Sequence, residues 1–106
     1  MLVNGSGSDI AVETPKDAPA VELLPNEAKS VSLQQLRWLR LGQLAYRYNT
    51  VTLRRRIARL PRPVVLQAHT DGKLYLLPRE STTVHPKLPP QPTGFPIAPT
   101  SRVDLT

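Results

Sequence analysis

Eight arginines lie between Ser30 and Arg62 (Arg37, Arg40, Arg47, Arg54, Arg55, Arg56, Arg59 and Arg62), and no acid occurs between Glu27 and Asp71. A guanidinium is always charged and presents a planar fork of donors, so the chemistry it brings is bidentate recognition of phosphate or carboxylate. A helix face that needs only solvation usually mixes signs, because Glu to Lys or Arg pairs at i, i+4 each add a few tenths of a kcal/mol. One-signed charge on a small apolar core repels itself and points to an anion on another molecule.

The other reactive residue types offer little. His69 and His85 have no carboxylate pair near them in sequence, and Ser30, Ser32 and Ser81 have sufficient roles as caps or loop residues. Cysteine is absent, which excludes disulfides and thiolate metal sites. Metal-ligand spacing and a GxxxxGK phosphate loop are also missing. The expectation is a protein without catalysis, metal or cofactor.

Charge is unevenly distributed along the 106 residues, whose net value is +6. Residues 1 to 28 carry five acids (Asp9, Glu13, Asp17, Glu22, Glu27) against Lys16, whereas all charges from 29 to 62 are positive. The remainder is nearly neutral. This pattern raises the expectation that the acidic segment lies over the basic one until a partner displaces it. No apolar run approaches the ~20 residues of a membrane span. The first ten residues, MLVNGSGSDI, lack the pattern of a signal peptide. A cytoplasmic protein, or one within a virus particle, is expected rather than a secreted one.

The elements that must position the arginines follow from period and punctuation. Residues 1 to 28 read as a flexible acidic arm, with Gly-Ser-Gly-Ser at 5 to 8 and prolines at 15, 19 and 25. A first helix is expected from Ser32, where Ser32 and Gln35 form a capping-box pattern and Val31 with Leu36 a hydrophobic staple. Leu33, Leu36, Leu39, Leu44 and Tyr48 then follow at helical spacing. Gly42 allows a break into two shorter helices. Trp38, on the arginine side, is either a base-stacking platform or a core anchor.

Asn49-Thr50 reads as a turn in which Asn49 ends the first helix and Thr50 caps a second, expected from about Val51 to Leu60. Its apolar stripe is Leu53, Ile57 and Leu60, its remaining circumference is arginine, and Pro61 ends it. VVLQAHT and KLYLLP flank Asp71-Gly72, a type I′ hairpin signal that pairs Ala68 with Tyr75 and Leu66 with Leu77. From residue 81 the chain reads as an extended proline-rich tail. The expected fold is thus α+β: a small helix-turn-helix with a wing-like hairpin over 29 to 80, flanked by extended arms at 1 to 28 and 81 to 106. So small a core would gain from homo-oligomerisation or a larger complex.

The stretch LGQLAYRYNTVTLRRRI followed by LPRPVVL resembles the DNA-binding segment of MerR-like and excisionase (AlpA-type) regulators, over roughly residues 41 to 77. That resemblance implies a winged helix-turn-helix in which Thr52, Arg54, Arg55 and Arg56 face bases or phosphate and Lys73 touches backbone at the hairpin tip. Arg59 completes the basic helix, and Arg47 and Arg62 are expected as flanking phosphate contacts. The expected partner is nucleic acid, DNA first, or an acidic protein surface, with no membrane. A second class of function is equally concrete: a structural subunit of a virion or ribosome-like particle, whose proline-rich arms order against neighbouring chains.

Overall fold

In the computed structural model, which describes residues 1–12, 21–31, 35–81 and 83–104, two small sheets share one core with a single α-helix. The strands are β1 (Leu2–Asn4), β2 (Ile10–Val12), β3 (Val21–Leu23), β4 (Ala28–Lys29), β5 (Trp38–Leu41), β6 (Leu44–Arg47), β7 (Val65–Ala68), β8 (Leu74–Leu77) and β9 (Ser101–Asp104). The helix, α1, spans Thr50–Ala58, and a short 3-10 turn covers Gln35–Arg37. One sheet has the order β4-β1-β7-β8 and the other β3-β2-β5-β6-β9. Leu2, Ile10, Leu23, Leu39, Leu53 and Leu74 are almost wholly buried in the shared core.

The expected first helix is not formed, and with it the helix-turn-helix fold falls away. Residues 38 to 47 are an antiparallel hairpin that pairs Trp38 with Arg47, Leu39 with Tyr46, Arg40 with Ala45 and Leu41 with Leu44. Leu39, Leu41, Leu44 and Tyr46 alternate onto the core side, while Arg40 and Arg47 point outward. The leucines fit a period of 3.6 and a period of 2 equally well; Gly42 separates the two. It holds the first position of a two-residue loop at φ 60°, where a type II′ hairpin turn takes glycine. Of the expected capping box, Ser32 lies outside the described residues.

The second helix is present, but it starts one residue earlier and ends two earlier than expected, with Asn49 rather than Thr50 as its cap. The Asn49 side chain accepts from Val51 N at 3.0 Å and Thr52 N at 3.2 Å, so asparagine caps the helix, and Leu53 and Ile57 are buried. The hairpin after it is also present, but its register is shifted by one. Val65 pairs with Leu77, Leu66 with Leu76, Gln67 with Tyr75 and Ala68 with Leu74. Gly72 N donates to His69 O at 2.9 Å, and His69 N to Lys73 O at 3.4 Å, enclosing a three-residue loop with Gly72 in the left-handed region. That is a turn followed by a glycine bulge rather than a two-residue I′ turn, and a one-residue slip exchanges the faces of the strand.

The arms are a second correction. The described residues of the first arm supply β1 to β4, and β1 lies inside its sheet, antiparallel to β4 and parallel to β7. The proline-rich tail is built into the fold by glutamine. Gln67 Oε1 accepts from His85 N at 2.8 Å and Gln67 Nε2 donates to His85 O at 3.1 Å. Gln91 does the same to Leu76, accepting from its N at 2.8 Å and donating to its O at 3.0 Å. Proline has no N–H for a ladder, so each carboxamide replaces a strand partner at one residue. Val84 and Leu88 thereby cover Val65, Leu77 and Val3 on the outer face of the first sheet, and β9 closes onto β6.

Candidate functional site

Thr52, Arg55, Arg56 and Arg59 recur at i, i+3, i+4 and i+7, so they share one side of α1 beside its buried stripe. Facing them is the turn from Pro92 to Phe95, closed by a bond from Phe95 N to Pro92 O at 3.0 Å. Gly94 adopts φ 94°, which the third position of a type II turn reserves for glycine. Between helix and turn lies a groove of about 390 Å³. Arg56 spans it: a Cβ at Gly94 would collide with Arg56 Nη1, so the guanidinium packs directly on the bare backbone of the turn. Leu60, Pro92 and the half-buried Phe95 give the groove apolar walls.

The three arginines of the groove are exposed, and the ion pair of Lys29 with Glu27, at 3.1 Å, involves none of them. No carboxylate lines the groove among those residues. The acids of the N-terminal segment sit elsewhere. Asp9 and Glu22 share a shallow surface concavity with Arg40, on the outer face of the second sheet, and Glu13 and Asp17 lie outside the described residues. The expected cover of acid over the basic helix is therefore not found among the described residues.

No protein-family model, curated protein or solved structure matches the chain.

The remaining expected contacts scatter. Arg54 is exposed on the flank of α1 away from the groove, and Arg62, past the end of the helix, lines an apolar cavity with Met1, Leu36 and Ile57. Arg47 ends β6 and stacks over the Trp38 ring at 4.9 Å, beside a second concavity bounded by Arg37, Tyr48 and Thr100. Lys73 is exposed at the hairpin tip, but that tip is no free wing. Tyr48 Oη donates to Gly72 O and Tyr46 Oη donates to Thr70 O at 3.3 Å, and the Tyr46 ring packs against Gly72. Burial first, then the charges of Tyr46 and Asp71, push the Tyr48 phenol well above its ordinary range.

Of the contact residues named from sequence, the fold thus brings Thr52, Arg55, Arg56 and Arg59 together and leaves Arg54, Arg47, Arg62 and Lys73 outside the groove. Sequence reasoning missed Phe95, Pro92 and Gly94. Phe95 is the one phenylalanine in the chain, and it stands in a proline-rich stretch with no other aromatic residue, which is the signal that marks it. No group of three metal-ligating side chains occurs among the described residues, and no helix there is long and apolar enough to cross a membrane.

Proposed function

We propose that this protein binds nucleic acid without catalysis, through phosphate contacts made by the arginines on the exposed side of α1. The observation that carries the reading is the convergence of Arg55, Arg56 and Arg59 on one groove that no carboxylate lines among the described residues. A guanidinium forms strong paired bonds with phosphate, and a low-dielectric wall such as Phe95 and Leu60 reduces the screening those bonds suffer in water. Arg54, on the far flank of the helix, adds to the field rather than to the groove.

Mobility of labelled nucleic acid against a salt series tests this. Three phosphate contacts give a slope of log affinity on log salt near −2 to −3, so affinity is expected to fall roughly 20- to 40-fold between about 50 and 200 mM salt. Absence of binding at the low-salt end contradicts the reading.

The structural-subunit reading keeps one supporting observation. Among the described residues, strand β9 is the last of its sheet, with all four residues exposed, Val103 among them, and an edge strand can serve as a template for a neighbouring chain. Its other support, arms reaching for neighbours, is weakened because the described arm residues pack on their own chain.

A further inference from the structure

The groove differs from a surface made to lie along a duplex. Its arginines do not stand on a convex ridge: the turn at 92 to 95 rises in front of them and encloses about 390 Å³. A double helix keeps its bases stacked inside and offers a stiff rod of phosphates, which would meet only the rim. An unpaired nucleotide offers a flat apolar ring and a phosphate together, and the groove has a counterpart for each. Phe95 and Pro92 form an apolar wall, and Arg55 and Arg59 stand across from it on α1. Every base has a π-face, so stacking on an aromatic ring is a sequence-tolerant way to hold a single strand.

The same combination recurs nearby. Trp38 lies under Arg47 at 4.9 Å, in a concavity of about 420 Å³ that Thr100 also borders. Thr100 N is bonded to Arg47 O at 2.7 Å, and Thr100 stands five positions after Phe95, so about 18 Å of backbone at most links the ring of the groove to the residue that borders the Trp38 concavity. Aromatic rings interleaved with cations along a track are the usual construction of single-strand binders.

Resting on the nucleic-acid reading above, we infer that the ligand is an unpaired strand, with one base stacked on Phe95 inside the groove and the adjoining phosphates held by Arg55 and Arg59. Arg56, packed across the groove on Gly94, closes the far side of the base site and meets the next phosphate. The Trp38 and Arg47 concavity takes a second base along the same strand.

Anisotropy titrations of the full chain test this, using labelled oligothymidylate and oligouridylate of about twelve nucleotides and a duplex of the same length. Both single strands, or either one, are expected to bind about tenfold more tightly than the duplex. Replacing the ring by an aliphatic group of similar bulk, Phe95→Leu, is expected to lower single-strand affinity about tenfold and so to narrow the preference over the duplex. Phe95→Trp is expected to retain it, and the unchanged far-ultraviolet circular dichroism of both variants verifies folding. Duplex affinity equal to or above single-strand affinity, or a Phe95→Leu variant that binds as the wild type does, overturns the inference while the broader nucleic-acid reading stands. Failure to bind any of the three probes at about 50 mM salt overturns both.

Discussion

Arginine occupies two kinds of surroundings on this molecule. Arg40, on the outer face of the β2-β5 pair, lines one shallow depression together with the acidic residues Asp9 and Glu22. Arg55, Arg56 and Arg59, on α1, have Phe95, Pro92 and Leu60 beside them instead. The first depression mixes both signs of charge from its own chain; the second groove combines one sign with apolar surface and shape. Screening reduces exposed charges to short range, about 10 Å at 0.1 M salt, so the neighbours of each arginine decide its availability more than the net charge of +6 does.

Charge reversal should separate the two sites most sharply. The double variant Arg55→Glu with Arg59→Glu is expected to lose about 100-fold or more in affinity for nucleic acid, since it exchanges two charge-assisted contacts for two repulsions. Arg40→Glu should change affinity by no more than about twofold. Both lie at exposed positions, where substitutions usually alter stability by about 0.5 kcal/mol or less each, so thermal unfolding should show little movement in either protein. Equal losses at the two sites would erase the distinction.

Next in size are the glutamines that hold the tail. Gln67→Ala removes a buried carboxamide and strands the His85 backbone, and a loss of roughly 2 to 3 kcal/mol is expected in urea unfolding. Gln91→Ala, at a half-buried position, should lose about 1 kcal/mol, and by loosening the wall at 92 to 95 it should weaken binding at the groove while leaving the Arg40 surface as it was. Asn49→Ala is expected to lose about 1 kcal/mol through its cap, measured in the same way.

The smallest effect belongs to Tyr48. Its phenol is held above the ordinary value near 10, so the folded chain retains a proton that the unfolded chain releases. Stability from this source is complete below about pH 10 and declines as the pH rises further. Tyr48→Phe should remove that alkaline decline in unfolding midpoints and should not touch the groove.

How legible these regions were in the sequence differs for physical reasons. Helix α1 carried local signals that agree with one another: a capping residue at Asn49-Thr50, a stripe of Leu53 and Ile57, and Pro61 as a stop. The β7-β8 hairpin was legible as a pair, but Asp71-Gly72 suits two loop lengths, and the longer one shifted the register. The stretch from Trp38 to Arg47 satisfied two periods at once, and a helical reading neglected what Gly42 does in a two-residue loop. Strands β1, β2, β3 and β9 are three or four residues long and pair mostly with distant segments, β1 with β7 and β6 with β9, so no local pattern announces them. Prolines in the tail read as extended and unpaired because the glutamines that replace their missing donors, Gln67 and Gln91, are recognisable only in three dimensions. The groove was half legible for the same reason: its arginines are neighbours on a helix, whereas its aromatic wall arrives from about 40 residues later in the chain.

The most direct measurement is the slope of log affinity against log salt for the wild type beside Arg55→Ala/Arg56→Ala/Arg59→Ala, titrated on the same single strand. If these three guanidinium groups meet phosphate, the variant's slope should be shallower by about 2. Parallel lines for the two proteins, at whatever affinity, would mean that the anion is held somewhere else.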